Sequence, residues 1–388
     1  MKYDFSTAWP KDRVHPFLLE EGVKDPSVLP HSVAEMRFRL MPEISEAMHR
    51  AVDVGLFGYQ PPDSQYAESV ISWMKRRHNW SVHKEWMTQT AGVVVAIGLA
   101  IRSFTEPGDG VIIQPPVYGP FRSSVENNHR TLIENPLLCD ENGRYTMDLD
   151  DLRKKAPSAK MLILCSPHNP CGRVWTGDEL AELCAICREH DLFVVSDEIH
   201  FDLVWNKHTV LTEADPEIAS RCIICTAPSK TFNLAGCGLS NIIIPNEDIR
   251  RRFTENASRE CGHYLNAFGY AAVQAAYQYG DDWVDQCLGV IEKNYRITKQ
   301  KLHSFCPDAV ISPLEGTYLT WLDFSCLKVD DSLLNHIFKK NLVFVNDGEF
   351  FGTGGFNHVR FNIAAPQKNV EGALARMEKA VAELRKLS

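Results

Sequence analysis

The stretch Asp197–Gly236, DEIHFDLVWNKHTVLTEADPEIASRCIICTAPSKTFNLAG, sets an acid and a lysine at the ends of two apolar runs. Asp197 closes LFVVSDE (192–198), and Lys230 follows CIICTAPSK (222–230). Continuous apolar runs of this length, bounded by turn formers, read as strands buried on both faces. The ends of such strands are where an open parallel sheet collects its ligands. Working outward, VIIQPP (111–116) follows a PGDG turn, KMLILCS (160–166) is closed by the turn PHNPCGR, and NIIIP (241–245) is a further short apolar strand. Between them lie helical patterns. AGVVVAIGLAIRSF (91–104) opens after Gly92, and TGDELAELCAICREHDL (176–192) repeats apolar residues three and four apart, with Thr176 as its N-cap. Strand–helix alternation of this kind predicts an α/β fold, a mostly parallel sheet covered on both faces.

After about residue 285 the character changes. A long helical stretch, DQCLGVIEKNYRITKQKLHSF (285–305), leads to TYLTWLDF, a helix, LVFVND, HVRFNIA and a closing helix. The division expected is a large domain over 45–285, and a smaller α+β domain built from 286–388 and the Pro-punctuated segment 1–44.

With 388 residues, 44% of them hydrophobic and 23% charged, the composition is that of a globular protein with room for two domains. The net charge of -9 excludes a broad nucleic-acid surface, which needs clustered Lys and Arg. No run of eighteen apolar residues is present and the N-terminus lacks the layout of a signal peptide, so a cytoplasmic protein without a membrane span is expected. The twelve cysteines are scattered and read as reduced thiols filling core positions. Two CxxC pairs, Cys184 with Cys187 and Cys222 with Cys225, fall in a helix pattern and a strand pattern, whereas zinc sites hold such pairs on turns; no metal is expected.

Asn169, Asp197 and Lys230 all fall just past strand ends and can converge in one crevice. A buried Asp facing a protonated ring nitrogen, beside a Lys free to form a Schiff base, is what pyridoxal phosphate requires. Lys230 would hold the cofactor and then act as general base at Cα. The helix opening at Thr90-Ala91-Gly92-Val93-Val94 offers backbone N–H groups to a phosphate. Tyr118 is a candidate to stack on the ring. Asn169, and His200 one helical turn past Asp197, are candidates to face its phenolic oxygen. Singly, each has an ordinary explanation as a loop, turn or packing residue. Their joint order carries the reading.

The same stretches resemble fold-type I pyridoxal-phosphate enzymes, within them the cystathionine β-lyase/C–S lyase branch. They are FGY (57–59), TAGVVVAI (90–97), IQPPVYGPF (113–121), SPHNPCGRVW (166–175), VSDEIHFD (195–202) and APSKTFNLAG (227–236). GTYLTWLDF (316–324), NDGEFFG and HVRFNIAAP extend the likeness over nearly the whole chain. The resemblance implies an aspartate aminotransferase-like fold with a seven-stranded sheet. It implies that Lys230 carries the cofactor, Asp197 pairs with the ring nitrogen, Asn169 meets the phenolic oxygen and Tyr118 stacks. Gly92, Val93, Val94 and Ser229 would cradle the phosphate, and Arg360 would clamp the substrate carboxylate. Tyr59 would reach the phosphate of a neighbouring subunit, which implies a homodimer.

Many aminotransferases of this fold carry an arginine eight residues past the lysine, where it grips the phosphate. That position is Gly238 here, as is typical of the lyase branch. The activity implied is α,β-elimination from cystathionine or a cysteine S-conjugate, giving a thiol, pyruvate and ammonia; the alternative is an aminotransferase acting with a 2-oxo acid. Proteins of this branch also act by binding a transcription regulator, a third reading that an intact Lys230 and Asp197 disfavour. The likeness runs from about residue 20 to near the C-terminus, so no appended DNA-binding domain is expected. Two departures concern the substrate. Val33-Ala34-Glu35-Met36-Arg37-Phe38 stands where relatives read like V-A-D-M-D-F, and EEGVKDPSVLP replaces a stretch like S-x-K-W-D. Arg37 would either favour a substrate with an anionic distal group or make a surface pair with Glu35 or Glu43.

Overall fold

The apolar runs form one seven-stranded sheet. The computed structural model describes residues 2–8, 13–56, 58–59, 61–260 and 266–387. Its large sheet contains β1 (Met87–Thr90), β2 (Gly110–Ile113), β3 (Thr131–Glu134), β4 (Met161–Cys165), β5 (Phe193–Asp197), β6 (Cys222–Thr226) and β7 (Ser240–Ile243), in the spatial order β1-β7-β6-β5-β4-β2-β3. Five strands, β3 through β6 in that order, pair in parallel, while β7 runs antiparallel to both neighbours. The expected α/β class and mostly parallel sheet are what the structure shows.

Residue alternation explains why the runs are apolar throughout. In β4, Met161, Ile163 and Cys165 face one core and Leu162 and Leu164 the other; β5 and β6 divide likewise. Helix Val93–Phe104 covers the first face together with helix Glu247–Glu260. Helix Gly177–Glu189 starts at Thr176 as expected: Oγ1 of Thr176 accepts the Glu179 N–H (3.2 Å), and Oε2 of Glu179 accepts the Thr176 N–H (2.8 Å). Register sets the carboxyl ends level. Asp197 pairs with Cys165 on one side and Cys225 on the other, so the last residues of β4, β5 and β6 open at one edge.

A second, antiparallel sheet orders its strands Val310–Ile311, Leu319–Asp323, His358–Asn362 and Asn346–Asp347. Helices Asp281–Phe305 and Gln367–Leu384 pack together beside it. Residues 31–37 thread between the two sheets. The His31 N–H donates to Phe344 O (2.8 Å), the Asn362 N–H to His31 O (2.9 Å) and the Arg37 N–H to Ala364 O (2.8 Å). On the other side the Met36 N–H donates to Asn233 Oδ1 (2.9 Å), and Asn233 Nδ2 returns a bond to Met36 O (3.0 Å).

Candidate active site

Asp197 ends β5 at the middle of the sheet, almost fully buried, and the Ile199 N–H donates to its Oδ1 at 3.1 Å. Burial raises its carboxyl to about 7, and the nearby Lys230 ammonium offsets part of that rise. Lys230 lies on the short helix Pro228–Thr231 just past β6, where Nζ donates to the Ala34 carbonyl at 3.0 Å. Burial lowers this amine to about 8, with the Arg360 guanidinium adding to the effect. Tyr318 donates its hydroxyl to the same Ala34 oxygen at 2.8 Å.

Arg360 enters from the small sheet, paired in register with Trp321 and Asn346. Nη1 donates to Asn169 Oδ1 (2.9 Å), and Nη2 to Ser32 O (2.8 Å) and Asn346 Oδ1 (2.5 Å). Its Nε is buried without a hydrogen-bond partner, and none of its partners among the described residues is a carboxylate. Burial lowers the guanidinium to about 10. A buried cation without an anion is poised to receive one. Because Asn169 Oδ1 is taken by Arg360, the Asn169 amide donors are left for a ligand oxygen.

These groups line a single cavity of about 330 Å3 together with Gly92, Val93, Val94, Tyr118, His200 and Ser229. His200 is buried with an unpartnered Nδ1, and burial holds its ring well below the ordinary histidine range. It sits in a turn after β5 and not on a helix, yet the three-residue offset still brings it to the cavity. Helix Val93–Phe104 begins at Gly92 with no side-chain cap, so its first N–H groups remain available at the cavity edge. Burial and the Asp197 carboxylate raise the Tyr118 phenol, as expected of a ring lying against the site.

Every sequence-stated candidate except Tyr59 lines this cavity; Tyr59 lies outside it, 84% exposed. Phe57 of the FGY stretch falls outside the described residues. The sequence reading missed Val33, Ala34, Asn346 and Phe350 on the cavity wall. It also missed the clamp behind Lys230. Buried Asp202 accepts from Trp73 Nε1 (2.9 Å) and bonds His78 Nε2 (2.7 Å) at Oδ1, and accepts the hydroxyl of Thr231 (2.8 Å) at Oδ2. The Arg37 alternatives need one correction. Arg37 does pair with Glu35 at 3.5 Å, but only the glutamate end of the pair reaches the surface: the Arg37 side chain is 8% exposed against 41% for Glu35. Glu43 pairs instead with Lys2 at 3.2 Å.

A cavity with a strand-end acid, a depressed lysine, an open helix N-terminus and an unpaired arginine fits pyridoxal phosphate and an amino-acid carboxylate. The model of the aminotransferase class I and II family matches residues 28–377. The chain belongs to that family. Among its relatives is cystathionine beta-lyase PatB of Bacillus subtilis, 40% identical over 93% of this chain and 94% of that protein. The structure of cystalysin from Treponema denticola, which contains a pyridoxal 5'-phosphate cofactor, superposes with a TM-score of 0.95 at 41% identity, covering 99% of this chain and 100% of that one. The pyridoxal-phosphate-bound C–S lyase of Staphylococcus hominis gives a TM-score of 0.90 at 28% identity, covering 98% of each chain. The aspartate aminotransferase-like architecture inferred from the sequence is therefore the architecture of the family.

Proposed function

We propose that the protein is a pyridoxal-phosphate-dependent carbon–sulfur lyase, converting cystathionine or another cysteine S-conjugate to a thiol, pyruvate and ammonia. The observation that carries this reading is Asp197, Lys230 and Arg360 in one cavity, in a chain 40% identical to a cystathionine beta-lyase. Pyridoxal phosphate, when bound, draws electrons from the substrate Cα and makes its proton removable. The first-turn N–H groups at Gly92, Val93 and Val94, with Ser229, would hold the phosphate, and Tyr118 would cover the ring face; all five line the cavity. Asn169 and His200, both on the cavity wall, would face its phenolic oxygen. Asp197, enclosed between β4 and β6, would keep the proton on the ring nitrogen. Arg360 grips the α-carboxylate and so orients the Cα–H bond. Lys230, lowered to about 8, has an accessible neutral form near neutral pH and takes the Cα proton. The Cβ–S bond then breaks, the thiolate leaves, and the three-carbon remainder is hydrolysed to pyruvate and ammonia.

An aminotransferase begins with the same proton removal, so the groups that hold the cofactor do not separate the two reactions. Gly238 favours elimination. Its φ of +55° is a left-handed conformation that disfavours a side chain, such as the phosphate-gripping arginine that many aminotransferases of this fold carry at that position. The described cysteines are free thiols, which supports a reducing, cytoplasmic setting. The domain division at 45–285, flanked by 1–44 and 286–388, accommodates the threading of residues 31–37 onto the small sheet. We further propose a homodimer in which exposed Tyr59, following the exposed apolar residues Val52, Val54 and Leu56, serves the site of the neighbouring subunit.

The test is pyruvate release from L-cystathionine and a panel of cysteine S-conjugates with no 2-oxo acid present. Pyruvate matched by thiol is expected, and Lys230→Ala is expected to lower turnover at least about a thousandfold. Turnover only on adding a 2-oxo acid would replace this reading with the aminotransferase.

A further inference from the structure

Three carboxylates meet away from the cavity just described. Asp331 opens helix Asp331–Lys340, Asp347 ends strand Asn346–Asp347, and Glu349 lies in the turn Gly348–Phe351. One oxygen from each lies within 4.8 Å of the other two. Like charges this close repel, and burial together with Asp347 and Glu349 raises the Asp331 carboxyl; a cation among the three would relieve that repulsion. Among the described residues no Lys, Arg or His forms an ion pair with any of the three, although His358 lies near enough to act on Asp331 through its charge when protonated. Lys339 pairs with Glu21 (3.8 Å), Lys340 with Glu383, and His358 with Asp323 (3.8 Å).

The cluster carries a second mark of a missing ligand. Asp331 is only 3% exposed, and while its Oδ1 accepts the Asn357 N–H (2.6 Å), its Oδ2 is buried with no partner. The amide oxygen of that same Asn357 is also buried without a partner. Neighbouring groups meanwhile hold Asp347 in place: Asn335 Nδ2 donates to Oδ2 (2.5 Å) and the Glu349 N–H to Oδ1 (3.1 Å). Asp331 thus brings to the three-carboxylate cluster a buried oxygen that no group among the described residues satisfies.

We infer that Asp331, Asp347 and Glu349 bind a divalent cation of the calcium class. All-oxygen, carboxylate-rich donors select hard ions over zinc or copper. The donors come from a helix start, a strand end and a turn, and calcium accepts such irregular arrangements more readily than magnesium, which demands a near-ideal octahedron. The ion fastens the turn that follows Asn346, whose Oδ1 receives Arg360, and that carries Phe350 to the cavity wall. Cation binding itself does not rest on the proposed lyase activity.

Calorimetric titration of calcium chloride into the cofactor-loaded protein tests this. One saturable site per chain is expected, with a Kd of about 10 μM to 1 mM. Glu349 is exposed, so Glu349→Gln preserves the fold, and it is expected to weaken binding at least about tenfold. Asp331→Asn is expected to abolish it. No saturable heat with calcium, magnesium or manganese overturns the site, as does a Kd unchanged in Glu349→Gln. Magnesium binding more tightly than calcium overturns the choice of ion.

Discussion

An ionised carboxylate enclosed by apolar strands is destabilised, and Asp197 registers this as a carboxyl raised to about 7. Its folded value lies above the unfolded 3.8, so the folded chain holds this proton more tightly. The destabilisation is absent at acidic pH, grows as pH climbs from about 4 to about 7, and is constant above. Lys230 has the opposite sign of shift, lowered from 10.5 to about 8. Its buried charge destabilises the fold at low pH, and that effect fades as pH rises from about 8 to 10.5. With pyridoxal phosphate bound as proposed, a protonated ring nitrogen facing Asp197 would supply the missing cation and remove the first effect. The cofactor-free Asp197→Asn protein is therefore expected to be more stable than the cofactor-free parent at pH 8, on the order of 2–4 kcal/mol, and to match it near pH 4. Urea unfolding at the two pH values measures this. An equal difference at both would mean that the carboxylate charge is not the cause.

At the scale of elements, the short helix that carries Lys230 is held from behind. Asp202 joins Trp73 and His78 of helix Ser64–His78 to Thr231, the residue after the lysine. Asp202→Ala would leave an indole N–H, a histidine nitrogen and a hydroxyl without their buried acceptor, and is expected to cost about 3–5 kcal/mol in guanidinium unfolding. A loss below about 0.5 kcal/mol would show that the clamp holds nothing. The strand-end placement of Asp197 and Lys230 was legible because strands buried on both faces leave uninterrupted apolar runs that stop where the chain turns. The reversed direction of Ser240–Ile243 was not, since a buried run looks the same whichever way it points. Val33 and Ala34 were legible only as part of a departing segment. Ala34 works through a backbone carbonyl, which leaves no mark on residue type. Asn346 and Phe350 were missed because the pairing of Asn346–Asp347 with His358–Asn362, and not any local pattern, brings them to the cavity.

At the scale of the whole molecule, the position of Tyr59 outside its own cavity gives a test that needs no view of the assembly. If Tyr59 serves a neighbouring subunit, a dimer of one Lys230→Ala chain and one Tyr59→Ala chain contains one doubly defective site and one fully wild-type site. Mixed dimers are expected to regain close to half the wild-type activity per dimer, well above either parent. Activity no higher than the mean of the parents would place Tyr59 with its own lysine. The threading of residues 31–37 bears on how the chain comes to be finished. Arg360 holds Ser32 O, and Asn362 Nδ2 holds both Val33 O and Glu35 O. A ribosome makes the early segment long before it makes its late partners, and contacts so distant in sequence close slowly. The wall that receives Lys230 at Ala34 is therefore completed only as synthesis nears its end, and a chain stalled before residue 358 can hold it through Asn233, Tyr318 and Phe344 but lacks the Arg360 and Asn362 side of the seam.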